Sequence, residues 1–168
     1  MSHSTRRLIL AVLVTLLAAS TASAQRRAAP ARAPQQDGPM IGPQLGEATN
    51  SFDFFVGGQV SIPVAPQWDV YPSFDFFFPG SGVTVWAING EGRYWPKLSM
   101  PHPGLYVGGG LDVTHVSVSG FGSATKAAPA ILGGWDFKAV SWRPFVQIHI
   151  VFGTDNRVEF GGGVNFKL

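Results

Sequence analysis

Cysteine is absent from all 168 residues, which excludes disulfides and thiolate chemistry. Charge is scarce as well, at 13% of the chain. No HxxxH-type metal spacing and no nucleophile motif occurs. The glycine runs at 108–110 and 161–163 lack the following helix that a phosphate-binding loop requires. Nothing here reads as an enzyme, and no cofactor or metal site is expected. The N-terminal apolar run, Leu8 to Ala19, is also well short of the roughly 20 residues that a spanning helix needs.

That short run has a different meaning. Arg6 and Arg7 precede it and Ala22-Ser23-Ala24 follow it, the three-part layout of a cleaved secretory signal. Residues 1–24 are therefore expected to be removed before Gln25. Residues 25–37, rich in Ala, Pro, Arg and Gln, read as a disordered leader. The formal charge of +2 leaves with Arg6 and Arg7. From Gly38 onward there are seven Lys or Arg against nine Asp or Glu, so a nucleic-acid-binding patch is not supported. Residues 38–168 are long enough for one domain.

What the remaining chain does contain is alternation. Val158, Phe160, Val164, Phe166 and Leu168 alternate with Glu159, Gly161, Gly163, Asn165 and Lys167. Trp142, Val146, Ile148 and Ile150 do the same against Arg143, Gln147 and His149. Similar segments run at 52–63, 68–78, 83–94, about 105–114 and about 131–138, with Val83 and Val85 spoiling the period of one of them. An eighth, 39–48, is interrupted by Pro39 and Pro43. Abundant glycine within these segments disfavours helix by about 1 kcal/mol per interior position. Turn signals separate the segments near 49–51, 79–82 and 153–156 at one end, with a polar loop at 119–126. At the other end they fall near 64–67, 95–103 and 138–141. The pattern predicts an all-β, eight-stranded antiparallel up-and-down barrel.

The polarity is inverted relative to a soluble barrel. Charged and tiny residues share one face, where a narrow eight-stranded lumen has room for little else, and bulky apolar residues share the other. Ten- to twelve-residue segments suit a tilted crossing of a bilayer. Asp53, Asp75, Glu91, Arg93, Asp112, Asp136, Arg143, Glu159 and Lys167 are the expected lumen charge network, mixed in sign because buried ions must be paired. Trp68, Tyr94, Trp95 and Trp142 flank the turns on the side of the termini and are expected to form an aromatic girdle at the headgroup level. His149 is expected to act as a packed hydrogen-bonding group of the lumen.

GLYVGGGLDV at 104–113, RPFVQ at 143–147 and the terminal EFGGGVNFKL, with the signal peptide and eight-segment layout, resemble the small outer-membrane β-barrel domain family of OmpA- and OmpX-type barrels. The resemblance covers roughly 38–168. It implies the outer membrane of a Gram-negative-type bacterium, lipid as the surrounding partner and the outer-membrane assembly machinery as a partner in biogenesis. Family members usually end in an aromatic residue, whereas this chain ends in Leu168, with Phe166 and Phe160 keeping the alternation. Function within the family is diverse. A structural, envelope-integrity barrel with a plugged lumen is expected first. A narrow channel or small-ligand carrier, and a soluble lipocalin-like periplasmic binder, are the alternatives.

Overall fold

The computed structural model describes residues 38–49, 53–80, 82–96, 104–137, 142–153 and 156–168. The expected signal peptide and leader, the connector 97–103, the turn 138–141 and the side chain of Asp53 lie outside the described residues. Eight strands follow in order: β1 Met40–Ala48, β2 Asp53–Ala65, β3 Trp68–Phe77, β4 Val83–Tyr94, β5 Leu105–Val118, β6 Gly122–Asp136, β7 Trp142–Val151 and β8 Arg157–Lys167. Each pairs antiparallel with the next, and β1 pairs with β8, so the sheet closes.

Closure follows from the backbone. An unpaired N–H or C=O costs several kcal/mol in hydrocarbon, and only a helix or an edgeless sheet pairs them all. The ladders also fix the stagger. From Phe55, the partners through β3, β4 and β5 lead to Ala124 on β6. In the other direction, through β1, β8 and β7, they lead to Gly134, ten residues away on the same strand. A ten-residue shear over eight strands tilts them by about 40° and leaves a lumen that side chains fill.

Side-chain direction obeys the period of two expected from the sequence. Leu111 is 58% and Phe160 55% exposed, whereas Arg93 and Asp112 are each 1% exposed. The apolar face is therefore outside and the charged face inside.

Two departures from the sequence reading concern the lumen's apolar content. Val85, which disturbs the alternation of β4, points inward, where it packs with Phe55, Phe77 and Ala87 at the end away from the termini. At the opposite end Trp95, Tyr106 and Leu132 form a second buried cluster. These rings fit because the facing positions are glycine. A Cβ on Gly161 would meet Phe55 Cζ first, at 3.0 Å, and one on Gly134 would meet the Tyr106 hydroxyl first. Glycine in the wall thus trades for aromatic volume in the lumen.

A third departure concerns 119–126, expected as a polar loop. β5 and β6 continue as a paired ribbon through Val118↔Gly122, leaving only Ser119–Phe121 as the turn. Gly120 and Gly122 adopt positive φ, 82° and 102°, which glycine accepts without a Cβ clash. The polar composition reflects a ribbon solvated on both faces, not the lack of a strand.

Replacing Gly161 by Val should overpack the Phe55 site and cost about 2 kcal/mol. Urea unfolding of the protein in lipid vesicles, followed by tryptophan fluorescence, measures it. Phe55→Leu in the same chain should recover part of the loss.

Candidate functional site

The lumen holds the candidate site, because eight charged side chains of the strands are buried there: Asp69, Asp75, Glu91, Arg93, Asp112, Asp136, Arg157 and Glu159. Nearest the termini, Arg93 on β4 lies beside Asp69 on the adjacent β3. Arg93 Nε donates to Asp69 Oδ1 at 3.0 Å, and Nη2 binds Oδ2. Ser61 Oγ donates to the same carboxylate at 2.6 Å. The guanidinium also stacks 3.7 Å from the Tyr71 ring centroid and 4.7 Å from that of Tyr106. Planar Arg serves both roles, since its edge meets the carboxylate and its faces meet rings.

Further along the lumen, Arg157 on β8 reaches across to Asp112 on β5 and binds its own-strand neighbour Glu159. Its Nη1 donates to Thr114 Oγ1 at 2.9 Å. His149 on β7 is set between two carboxylates. Its Nδ1 lies 2.8 Å from Glu159 Oε2 and its Nε2 lies 2.8 Å from Glu91 Oε1 on the far wall. Only the Nδ1 contact is aligned as a hydrogen bond; the Nε2 contact with Glu91 is one of charge proximity.

An uncharged relay links the two layers. Tyr106 OH donates to Gln147 Oε1 at 3.2 Å, and Gln147 Nε2 donates to Gln44 Oε1 at 3.2 Å. Gln44 Nε2 then donates to Asp75 Oδ1 at 2.6 Å. Asn89 Nδ2 donates to Asp75 Oδ2 and to Ser73 Oγ, both at 3.0 Å. Every amide of this relay donates toward the Asp75 carboxyl, so the bonds reinforce one another.

Of the residues expected in the lumen network, Asp75, Glu91, Arg93, Asp112, Asp136 and Glu159 are buried there. Arg143 is half-buried near the termini and acts electrostatically on Asp136. Lys167 is exposed at that mouth, outside the enclosed network. Asp69 and Arg157 were missing from the expected set. Asp69 shares the parity of Ser73 and Asp75, and Arg157 that of Glu159, so the signal was present. Arg157 was overlooked because it adjoins the turn at 153–156.

On the outer face, Trp68 and Trp142 are exposed, and the Trp68 and Tyr94 ring centroids lie 4.9 Å apart. Trp95 does not join them. It turns into the lumen against Tyr106, 5.0 Å between centroids, because it leaves β4 with inward parity beside the Arg93 guanidinium. A second ring series, not foreseen, crosses the outer surface nearer the opposite end. Phe74 stacks with Trp86 at 6.3 Å, and Trp86 with His115 at 4.9 Å.

Among the described residues, no group of three or more His, Asp or Glu side chains is arranged to hold a metal ion. What the arrangement does is brace opposite walls through ion pairs. Arg157→Met would strand Asp112 and Glu159 and should cost about 3–5 kcal/mol. Chemical denaturation in vesicles is the measurement, and Asp112→Asn in the same chain should restore part of the stability.

No protein-family model and no curated protein matches the sequence. Solved structures do. The N-terminal β-barrel domain of Pseudomonas aeruginosa OprF, 15% identical, superposes with a TM-score of 0.57 over 77% of this chain and 96% of that one. Neisserial surface protein A, 12% identical, gives 0.59 over 77% and 96%. A de novo designed transmembrane β-barrel, 12% identical, gives 0.52 over 80% and 98%. Identities this low speak for the fold, and the chain has the fold of the small eight-stranded outer-membrane β-barrels.

Proposed function

We propose that the chain is an integral outer-membrane protein whose barrel is structural, supporting envelope integrity with a closed lumen. The observation that carries this reading is the cross-lumen bracing. Arg157–Asp112 and His149–Glu91 tie opposite walls, and an apolar cluster lies toward either end. A conducting pore needs a continuous wet path, whereas this lumen is occupied by paired charges and rings.

The membrane assignment rests on the inverted polarity and on the band of outward Phe, Trp, Ile, Leu and Val. A soluble monomer rarely exposes such a continuous apolar surface. In that setting the termini face the periplasm and the β5–β6 ribbon faces the exterior. Lipid is then the partner over most of the surface, and the assembly machinery is a partner only during insertion. No feature of the lumen supports catalysis, so the reading is of a non-enzymatic protein.

Outer-membrane fractions should retain the protein through a carbonate wash. Unboiled samples should migrate differently from boiled ones on gels. A detergent-free soluble monomer would overturn the membrane reading in favour of a periplasmic binder. In planar bilayers the wild-type protein should show no steady conductance. Stable openings altered by Glu91→Gln or Arg143→Gln would instead establish the narrow-channel alternative.

A further inference from the structure

The middle of the lumen carries more acid than base. Asp75, Glu91, Asp112 and Glu159 are buried there against Arg157 and His149. With every acid ionised and His149 charged, four negative charges face two positive ones. Enclosing such an excess away from water is costly for each uncompensated ion, and a buried carboxyl that no cation reaches is held as the neutral acid instead.

The two bases are committed to particular partners. Arg157 binds Asp112 and Glu159, and His149 bonds to Glu159 with Glu91 beside its other nitrogen. Asp75 is placed differently. Its Oδ1 lies 2.1 Å from where a Cβ on Gly57 of β2 would sit. Its hydrogen bonds come from the neutral amides of Gln44 on β1 and Asn89 on β4. Glu91 is the next inward position on β4, and Asp112 faces Asn89 in the β4–β5 register. From across the lumen, Glu159 and Arg157 of β8 and His149 of β7 act on Asp75 electrostatically. Among the described side chains, β1 and β2 bury no charge, and β6 buries only Asp136, near Arg93 and Arg143.

Hydrogen-bond supply is short on the same side. Gln59 Oε1, Asn89 Oδ1 and Glu91 Oε1 are buried acceptors with no aligned donor among the described residues, against one unaligned donor, His149 Nε2. The other unaligned groups, Tyr71 OH, Arg93 Nη1 and Asp136 Oδ1, belong to the layer around Arg93. The middle layer therefore lacks donors, and a carboxylic O–H supplies one. A metal ion fits less well, since no three His, Asp or Glu side chains converge among the described residues. Asn89 suits either form of Asp75. Its nitrogen donates to Asp75 Oδ2 and Ser73 Oγ at 3.0 Å each. A half-turn of the amide would bring its oxygen there to accept from the acid and from the serine hydroxyl.

We propose that Asp75 is a proton-binding site, in which the folded barrel stores one exchangeable proton that offsets the acidic excess of Glu91 and Glu159. The proton is taken from solution as the chain folds. In alkali it passes to hydroxide, leaving a third carboxylate beside those two, and the lumen loosens. The inference rests on the closed lumen read above, which the conductance measurement tests separately.

The full chain refolded in lipid vesicles would be read by infrared difference spectroscopy and by urea unfolding across pH. A protonated carboxyl has a carbonyl stretching band that an ionised one lacks. The difference between wild type and Asp75→Asn at neutral pH should contain that band, and alkali should remove it. A proton kept by the folded state and already lost by the unfolded chain makes stability fall as pH rises. Between about pH 5 and 6 unfolded acids are ionised and histidine is still largely charged, so carboxyl protons dominate the slope. There the wild-type folding constant should fall more steeply than that of Asp75→Asn, by about tenfold per pH unit. Glu91→Gln, which removes one like charge, should move loss of the band to lower pH. A difference spectrum without the acid band overturns the proposal. So do equal slopes for wild type and Asp75→Asn, or a band whose loss Glu91→Gln leaves in place. Should Asp75→Asn fail to refold, the wild-type band and its shift in Glu91→Gln decide, with Asp136→Asn as the control that must leave both intact.

Discussion

Backbone hydrogen bonding in hydrocarbon governs the rest of this structure. A strand that leaves one N–H unpaired in lipid loses several kcal/mol, so the sheet has to close on itself. With eight strands and a ten-residue stagger, closure leaves a lumen barely wider than its own side chains. That narrowness determines the composition of the inner face. Glycine appears where a ring from a neighbouring strand needs the space, as at Gly134 beside Tyr106. Polar residues appear where they can pair across the gap.

Charge in such a lumen is held in two ways. Arg93 is enclosed by Asp69 on its edge and by aromatic rings over its faces. Rings here replace part of the lost hydration, since a guanidinium is weakly hydrated and stacks well. Arg157 is instead surrounded by acceptors, Asp112, Glu159 and Thr114. The first arrangement ties adjacent strands and sits beside the Trp95 cluster. The second ties strands that do not touch, so it resists flattening of the barrel. The Asp75 carboxyl, by contrast, takes its hydrogen bonds from the amides of Gln44 and Asn89. The Gln147–Gln44 relay gives those donors a common direction.

Strand number, order and the inverted polarity were legible in the sequence because each depends on a period of two read over long segments. The misreadings are all at strand ends. Trp95 beside a turn looked like a girdle residue, yet its parity continues from Arg93 and carries it inward. Arg157 looked like part of a turn, although it lies two residues before Glu159. Val85 looked like noise in the alternation, but it caps the lumen at the end where neutral side chains suffice. Residues 119–126 looked like a loop because a ribbon wet on both faces shows no alternation. Composition reports the solvent around a segment, and above the membrane that solvent is the same on either side. The pairing of Arg157 with Asp112 had no sequence signal at all, since it joins walls 45 residues apart.

A lumen this full shifts attention to the rims. Stagger alone makes a rim slope, because each strand is displaced along its neighbour as the sheet goes round. The slope becomes a step where one ladder ends early. Pro129 supplies that end, since it accepts from Phe152 but offers β7 no donor in return. β5 and β6 suffer no such interruption and carry on to the Gly120 and Gly122 turn. Among the described residues, Pro129 therefore marks where β6 passes from pairing on both sides to pairing with β5 alone. Sealing the interior and leaving the step are compatible because they use opposite parities of the same strand. Ala130 and Leu132 face the lumen, while Pro129 directs its carbonyl sideways. The inner parity of the strands thus carries the paired charges, while the same strands keep their bulky apolar residues on the outer parity.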